Sequence, residues 1–386
     1  MNQSSHRPIH GGNLEWAAHC AGCSPSEVLD FSASINPLGP PASALTTMQA
    51  HLAGLKAYPD PEYRQLRSAL AAFHQIHPDW ILPGNGAAEL LTWASRDLAN
   101  LDRTVLLTPA FGDYRRALQA FGAKLEESLV MDHWQQPETE TLVNSPTGNN
   151  LGCGYPQATL QLTNSYAGNT GILINSPHNP TGLMFSRQSL LPYLDQFAVV
   201  VVDEAFMDFL PPDQQQSLID WVEDYPNLVV IRSLTKFYSL PGLRLGYAIA
   251  HPDRLRRWQQ WRDPWSVNTL AAAVGAVVIQ DRDFQQQTWN WLAAVKSPLL
   301  EGLRALAGLT SYGGAANFLL VRCQQSVTQL QADLLQRDRI LIRDCLSFPE
   351  LGDRYFRIAI RTAAENQRLL DALAQNLPLN DRSPAL

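Results

Sequence analysis

Short apolar runs alternate with longer mixed segments between about residues 78 and 250. The runs are rich in β-branched and aromatic residues, and the segments between them are long enough to form helices. The runs are Trp80–Leu82, Thr104–Thr108, Gly171–Asn175, Ala198–Val202, Leu228–Ile231 and Leu245–Ala250. Ala198–Val202 shows no polar alternation, so both of its faces should be buried, as in a parallel sheet covered by helices. The pattern predicts βαβ units and a doubly wound α/β domain.

Beyond about residue 268 the pattern changes. Segments rich in Ala, Leu and Gln have helical character, and β-like pieces follow at Asn317–Arg322 and Tyr355–Ile360. These features predict a second, smaller α/β domain. The predicted large domain covers residues 42–270, and the small domain combines residues 1–41 with residues 271–386. The segment 131–170 is rich in Gln, Thr, Asn and Gly, and its pattern places no strand.

Composition narrows the classes of partner. The 386 residues are 45% hydrophobic and 17% charged, which predicts a large core. The net charge of −7 argues against a nucleic-acid or anionic-membrane surface. The N-terminus lacks an apolar signal region, and no apolar run approaches the ~20 residues that span a bilayer. We therefore expect a cytoplasmic protein that binds neither nucleic acid nor membrane.

Five cysteines are too few and too scattered for a disulfide framework. Cys20 and Cys23 have CxxC spacing, but no second pair completes a metal site. We interpret them as ordinary thiols and predict no metal.

Polar residues follow the predicted strands, at the edge where ligands bind in open parallel sheets. They are Gly84-Asn-Gly86 ahead of the helical stretch Ala87–Leu98, Asn179, Asp203 and Lys236. Each suits one part of a pyridoxal-phosphate (PLP) site. A lysine forms the Schiff base, a carboxylate keeps the pyridine nitrogen protonated, and amides at a helix start bind phosphate. Singly these signals are weak. Their order is the evidence, because Asn179, Asp203 and Lys236 follow one another at intervals of 24 and 33 residues, each at a strand end.

The chain resembles the fold-type I PLP enzymes of the class I and II aminotransferase superfamily over nearly its whole length. The motifs that carry the resemblance are Asn179-Pro-Thr-Gly182, Asp203-Glu-Ala205, Ser233-Leu-Thr-Lys236 and Gly242-Leu-Arg-Leu-Gly246. The resemblance implies a mostly parallel sheet between helices in a large domain, and a smaller α/β domain beside it.

The same resemblance implies roles for single residues. Lys236 would form the Schiff base, and Asp203 would pair with the pyridine nitrogen. The other implied cofactor contacts are Asn179 at the phenolic oxygen, Phe111 on the ring, and Gly86, Ala87, Ser233, Thr235 and Arg244 at the phosphate. Tyr58 would reach the phosphate of a partner subunit, which implies a homodimer with shared active sites.

Within the superfamily, the chain looks most like decarboxylases of threonine phosphate and next most like aminotransferases of histidinol phosphate. The motifs are His10-Gly-Gly-Asn13, the segment 30–40, Trp265-Ser-Val-Asn268 and the segment 354–361. Such aminotransferases usually have a tyrosine at Phe206, which favours the decarboxylase, although a neutral replacement stays possible. The decarboxylases usually have Asn at the position of Ser34 and a more polar pair at Ala87-Ala88. Serine is shorter than asparagine, so whether the Ser34 side chain contacts the substrate is open.

Arginines that fix phosphate and carboxylate would select which bond at Cα breaks, because guanidinium groups hold such anions bidentately. The candidate substrate residues are His10, Ser34, Asn36, Arg343 and Arg357. Strand alternation puts Arg361 on the same face as Arg357, so both could face the cleft. A surface position for Arg361 and a free terminus for His10 remain alternatives, and which arginine holds which anion is open.

The leading hypothesis is decarboxylation of L-threonine O-3-phosphate to (R)-1-aminopropan-2-yl phosphate in cobalamin biosynthesis. The alternative is amino transfer from histidinol phosphate to 2-oxoglutarate in histidine biosynthesis. A catalytically silent PLP-fold binding module is a remote third possibility. The presence of Lys236, Asp203, Asn179 and Arg244 argues against that module.

Overall fold

The structure, a computed structural model, describes residues 7–130, 157–162, 166 and 168–377. In chain order its strands are β1 (Leu29–Asp30), β2 (Ile81–Asn85), β3 (Arg103–Thr108), β4 (Leu125–Leu129), β5 (Gln157–Ala158), β6 (Thr170–Asn175), β7 (Met184–Phe185), β8 (Val199–Asp203), β9 (Leu228–Ser233), β10 (Leu245–Ala250), β11 (Leu309–Tyr312), β12 (Phe318–Cys323), β13 (Ile340–Leu341), β14 (Arg343–Asp344) and β15 (Tyr355–Ala359).

The α-helices are α1 (Leu14–Ala21), α2 (Ala42–His51), α3 (Arg64–His74), α4 (Ala87–Ala99), α5 (Gly112–Ala120), α6 (Arg187–Gln196), α7 (Pro252–Trp261), α8 (Thr269–Val278), α9 (Arg282–Ala305), α10 (Val327–Asp338) and α11 (Ala363–Asn376). Short 3₁₀ helices lie at Pro25–Glu27, Leu52–Lys56, Pro78–Trp80, Met207–Phe209, Pro212–Gln214, Ile219–Trp221, Pro241–Leu243 and Gly352–Arg354.

A seven-stranded sheet forms the large part of the molecule, in the order β2-β10-β9-β8-β6-β3-β4. Strands β4, β3, β6, β8 and β9 are parallel, and β10 runs antiparallel to both of its neighbours. The predicted fold class is confirmed, and each of the six predicted runs overlaps a strand of this sheet. Trp80 lies in a 3₁₀ helix and not in the strand that follows it.

Strand β8 shows why its sequence has no polar alternation. Val200 and Val202 pack into the core on one face of the sheet, while Val199 and Val201 pack into a separate core on the other face. Side chains alternate between faces along a strand, so a sheet covered by helices on both sides requires apolar residues at every position. All four valines are buried, and each contributes roughly 1.5–3 kcal/mol of burial free energy.

A second, antiparallel sheet lies in the C-terminal part, in the order β11-β12-β15-β14. It contains both β-like pieces predicted beyond residue 268. The N-terminal segment joins this part of the molecule, because β1 pairs in parallel with β13 and α1 packs on α10. The predicted boundaries of the two domains stay a prediction.

The CxxC spacing has a simple structural context. Helix α1 ends at Ala21 and is capped by Gly22, which has a left-handed backbone with φ of 63°, so Cys20 lies in its last turn and Cys23 beyond its end. Both thiols are free. Among the described residues, no group of His, Cys, Asp and Glu could hold a metal, and no helix has the length and apolar character to cross a membrane. Cys153 and most of the segment left unplaced by its pattern lie outside the described residues.

Candidate active site

A cavity of about 220 Å³ lies at the carboxyl ends of β6, β8 and β9, and the second sheet closes one side of it. The predicted cofactor residues that line it are Ala87, Phe111, Asn179, Asp203, Ser233, Thr235, Lys236 and Arg244. The predicted substrate residues that line it are His10, Ser34, Arg343 and Arg357. Residues far apart in the chain therefore meet at the edge of the sheet where the sequence predicts a ligand.

Lys236 follows β9, in a short loop, and is partly exposed to the cavity. Burial, together with the positive charges of Arg357 and Arg244, lowers the pKa of its ammonium group to about 8, and the charge of Asp203 acts in the opposite direction. A lysine with such a pKa is partly neutral near physiological pH. It is therefore a nucleophile suited to attack an aldehyde carbon.

The expected role of Lys236 as the lysine that bonds to PLP can be tested by the pH dependence of PLP capture. Capture by PLP-free protein should rise with pH through about 8, since the attacking amine must first lose its proton. Arg357→Gln removes a positive charge that favours the neutral amine, so the pKa should rise and the midpoint should move to higher pH. Arg361→Gln is the control, because Arg361 bonds Asp30 O and Glu365 instead of lining the cavity. The absorbance change on mixing with PLP measures the midpoint, and equal midpoints in both variants would contradict the prediction.

Asp203 ends β8 and is buried. Burial raises the pKa of its carboxyl above the usual value, and hydrogen bonds from the Tyr114 hydroxyl and the Ala205 amide limit this rise. These donors lie 2.7 Å from Oδ2 and 2.9 Å from Oδ1. The two bonds favour the carboxylate form, which a protonated pyridine nitrogen requires as its partner.

Asn179 is held between the two sheets. Its amide N–H donates to Asn175 Oδ1 at 2.7 Å, and Asn175 Nδ2 donates to Asp203 O at 2.8 Å. Arg357 Nη1 donates to Asn179 Oδ1 at 2.5 Å. A guanidinium only donates, so the Asn179 oxygen must face Arg357, and its NH₂ group is left to donate elsewhere. A phenolic oxygen is a suitable acceptor for that group.

The start of α4 forms an anion site. Gly86 precedes the helix with φ of +76°, and the Arg244 guanidinium lies directly against it, since a Cβ on Gly86 would meet Arg244 Nη2 at 2.3 Å. Ser233 Oγ and Thr235 Oγ1 pair at 2.7 Å on the same cavity wall. The Gly86 N–H donates to Gly84 O at 2.7 Å, so the expected contact from this amide to a phosphate is not available in this conformation. The Ala87 amide at the helix N-terminus, a guanidinium and two hydroxyls match the phosphate of PLP.

Gly86→Ala should weaken PLP binding about tenfold to hundredfold, because the new Cβ displaces Arg244 and a charged hydrogen bond contributes about 1.5–3 kcal/mol. Gly122→Ala is a matched control, since Gly122 also has positive φ (+72°) but has no atom within 4 Å of the added Cβ. Titration of PLP-free protein with PLP gives both affinities. Similar PLP affinities in the two variants would contradict the prediction that contact between the new Cβ and Arg244 weakens binding.

Arg343 joins the cavity to the N-terminal segment. Its guanidinium donates to the carbonyls of Pro8 and Ile9 and, at 2.6 Å, to Ser347 Oγ. Beyond Ile9, the His10 ring lies 5.6 Å from that of Phe111 and lines the cavity. Ser34 is also at the cavity, where its buried hydroxyl has no hydrogen-bond partner among the described residues.

Three further candidate residues do not line this cavity, and one of them, Tyr58, was expected at the site of a partner subunit. Tyr58 is 78% exposed and stacks on Trp265 with ring centroids 4.4 Å apart. Asn36 lies behind Lys236, where its backbone N–H donates to the lysine carbonyl. Arg361 does not share the cavity with Arg357, so the expectation from strand alternation is wrong. Strand β15 ends at Ala359, and the Arg361 guanidinium turns back to Asp30 O and Glu365.

The comparisons with known proteins agree with this geometry. A family model for class I and II aminotransferases matches residues 26–373. The chain belongs to this family. It is 40% identical to threonine-phosphate decarboxylase of Salmonella typhimurium over 94% of this chain and 95% of that one. It is 32% identical to histidinol-phosphate aminotransferase 2 of Ralstonia nicotianae over 96% and 94% of the two chains. Its fold matches histidinol-phosphate aminotransferase of Sinorhizobium meliloti in complex with pyridoxal-5'-phosphate, with a TM-score of 0.77, 20% identity, and coverage of 97% and 98%.

As a member of the class I and II aminotransferase family, the chain is a PLP-dependent enzyme. Two site residues were not predicted from the sequence. Tyr114 follows Phe111 by one helical turn, so the start of α5 supplies both an aromatic face and the donor to Asp203. Asn175 links Asp203 to Asn179 from the end of β6. The spacing of one helical turn between Phe111 and Tyr114 could have indicated Tyr114, whereas nothing in the sequence distinguished Asn175.

Proposed function

We propose that the protein decarboxylates L-threonine O-3-phosphate to (R)-1-aminopropan-2-yl phosphate, as a cytoplasmic step of cobalamin biosynthesis. The observation that carries the proposal is a pair of buried arginines. Arg343 and Arg357 occupy directly opposite positions on β14 and β15, and both line the cavity. Like charges at directly opposed positions destabilise a sheet. Asp344 Oδ1 lies 3.8 Å from Arg343 Nη1 and balances part of this charge, and bound anions would balance the rest. Threonine phosphate carries two such anions in one small molecule.

The electrostatics support an anionic substrate. Burial lowers the pKa of Arg357 to about 10, and the neighbouring charge of Arg343 contributes in the same direction. A carboxylate or phosphate between these groups would raise the pKa of Arg357 again, because its negative charge favours the protonated guanidinium. The 40% identical relative from Salmonella bears the name of an enzyme for threonine phosphate, which agrees with this requirement.

The two arginines suit different anions. Arg357 is close enough to lower the pKa of Lys236, and it also holds Asn179 at 2.5 Å. The carboxylate is bonded directly to Cα, so it fits the arginine nearer the lysine. The phosphate is attached two bonds farther from Cα, and Arg343 with His10 suits it. Holding both anions fixes the rotation about the bond between the substrate's amino nitrogen and Cα. This rotation decides which bond at Cα is perpendicular to the plane of the cofactor ring.

Bound PLP supplies an electron-withdrawing ring that accepts the electron pair of the bond broken at Cα. Asp203 keeps the negative charge that favours a protonated pyridine nitrogen. Arg357 and Arg343 hold the substrate so that the bond between Cα and the carboxylate breaks, and CO₂ leaves. Lys236 Nζ delivers a proton to Cα, for which a pKa near 8 is well matched at neutral pH.

Phe206 bears on the alternative of amino transfer. It lines the cavity next to Asp203, and its ring packs edge-on against Phe318 with centroids 5.0 Å apart. A phenylalanine gives no hydroxyl to the phenolic oxygen that Asn179 serves. The proton balance of the bound cofactor therefore differs from that in enzymes with a tyrosine here. The 32% identical aminotransferase from Ralstonia keeps amino transfer from histidinol phosphate as the second candidate.

A homodimer is part of the proposal. Leu52, Leu55 and Tyr58 are more than half exposed within one short segment, and Leu45 and Trp265 are also exposed. Clustered exposed apolar residues are typical of interfaces between proteins. If a second copy covers this surface, Tyr58 would reach the phosphate of the partner subunit, as the family resemblance implies. Light scattering should give twice the mass of the chain, and a monomer would contradict this part of the proposal.

Two parallel assays test the reaction. With threonine phosphate alone, the PLP-loaded protein should release CO₂ and form the amino-alcohol phosphate. With histidinol phosphate and 2-oxoglutarate, it should form little glutamate. Glutamate formation without CO₂ release from threonine phosphate would favour the aminotransferase. Failure to bind PLP would favour the silent module.

A further inference from the structure

Asn36 holds the backbone on which Lys236 is mounted. The Asn36 backbone N–H donates to Lys236 O at 3.1 Å. Its side-chain Nδ2 donates to Phe237 O, the next carbonyl along the chain, at 2.8 Å. One residue from the N-terminal segment thus binds two consecutive carbonyls of the lysine loop, 201 residues away in sequence.

The side chain of Asn36 is fully used by these contacts. The second hydrogen of Nδ2 is donated to Thr288 Oγ1 at 2.8 Å, and Oδ1 accepts from Leu38 N at 3.0 Å. Asn36 is 1% exposed. Both of its donors are therefore directed to protein groups, which leaves none for the substrate contact expected from the sequence.

The loop after β9 depends on such outside support. Its residues 234–239 lie in turns, without the repeating hydrogen bonds of a helix or strand. Within the loop, the Lys236 carbonyl accepts only a long bond from Ser239 N, at 3.3 Å, and Ser239 has positive φ. The position of Nζ follows that of the backbone, and a displacement of about 1 Å at a reacting group can cost about a hundredfold in rate.

The same segment reaches the substrate arginine. Ser32 O accepts from Arg357 Nη2 at 3.1 Å, four residues before Asn36. Between them, the Ser34 hydroxyl lines the cavity. Residues 32–36 therefore connect the group that holds the substrate to the group that reacts with it.

We propose that Asn36 is a positioning residue for Lys236, which fixes the Lys236–Phe237 backbone and couples it to the segment that contacts Arg357. The proposal rests on the proposed role of Lys236 as the lysine that binds PLP. It does not depend on whether the reaction is decarboxylation or amino transfer.

Two ligands separate positioning from general stability. PLP must bind the site and also bond to Lys236, whereas pyridoxamine phosphate occupies the same site without an aldehyde and cannot bond to lysine. In Asn36→Ala we expect PLP capture to slow about tenfold to hundredfold. Affinity for pyridoxamine phosphate should change little, because Asp203, Arg244 and Ser233 are untouched. Stopped-flow absorbance measures capture, and fluorescence titration measures affinity.

Thr288→Val is the matched control. It removes the other acceptor of Asn36 Nδ2 but leaves the bond to Phe237 O, so it should lower thermal stability and leave capture unchanged. If Asn36→Ala does not fold, Asn36→Ser gives the same test, since its hydroxyl is too short to reach Phe237 O. Equal losses of PLP capture and pyridoxamine-phosphate affinity would overturn the proposal, and so would unchanged capture.

Lys236→Ala separates this proposal from the one on which it rests. That variant should bind pyridoxamine phosphate and show no covalent capture of PLP. Covalent capture in Lys236→Ala would mean that another lysine is the attachment site, whatever the Asn36 variants do. Loss of capture there with unchanged capture in Asn36→Ala would retain the role of Lys236 and reject that of Asn36.

Discussion

Lys236→Ala is expected to abolish covalent attachment of PLP and to lower CO₂ release from threonine phosphate by about 10⁴-fold or more. The variant loses both the amine that bonds the aldehyde and the proton donor to Cα. Because Asp203, Asn179 and Arg244 remain, PLP should still bind without a covalent bond. The visible absorbance of the purified protein and borohydride trapping followed by peptide mass mapping measure attachment.

Lys296→Met is the control for this result. Lys296, in α9, is a second lysine whose pKa is lowered by burial, to about 7. Its ammonium donates to the carbonyls of Gly314 and Ala316, and it is not among the residues that line the cavity. Its replacement should reduce thermal stability and retain the PLP absorbance. An unchanged rate in Lys236→Ala, or loss of the absorbance only in Lys296→Met, would contradict the assignment.

Asp203→Asn should lower CO₂ release by roughly 10²–10³-fold, with a smaller effect on PLP affinity. Asparagine keeps the size of the side chain and an oxygen that accepts from Tyr114 or Ala205. It removes the charge that stabilises a protonated pyridine nitrogen, so the ring accepts the electron pair less readily. The ¹⁵N chemical shift of labelled PLP in the holoenzyme reports that protonation directly.

Asp208→Asn provides a comparison with another buried acid. Asp208 forms an ion pair with Arg232 of β9, and it is not among the residues that line the cavity. It should lower the free energy of unfolding while the ¹⁵N shift stays that of the native enzyme. A native ¹⁵N shift in Asp203→Asn would contradict the role given to Asp203.

The sequence predicted the large sheet well because buried parallel strands have a distinctive pattern. Strands β3, β6, β8 and β9 are continuous apolar runs that need no long-range information to recognise. The polar residues at their ends are brought together by topology alone, since parallel strands end at one edge. Strand β4 was missed because it is the edge strand, where Glu126 and Glu127 interrupt the apolar pattern.

Contacts made through space could not be predicted in the same way. The bond from Tyr114 to Asp203 joins residues 89 apart, and that from Arg357 to Asn179 joins residues 178 apart. Asn36 was expected at the substrate because it lies in the segment 30–40, which resembles that of the decarboxylases. Its true partners, the carbonyls of Lys236 and Phe237, have no side-chain signature that a sequence could reveal.

The bond broken at Cα is the central claim, and an isotope placed on that carbon tests it directly. Threonine phosphate with deuterium at Cα should yield an amino-alcohol phosphate that retains the deuterium, because the bond to the carboxylate breaks and Lys236 adds a proton from solvent. Mass spectrometry of the product, together with the CO₂ released, measures the outcome. Retention of one deuterium per product molecule is the predicted result. Loss of the deuterium to water, with an oxo-acid product and no CO₂, would contradict it.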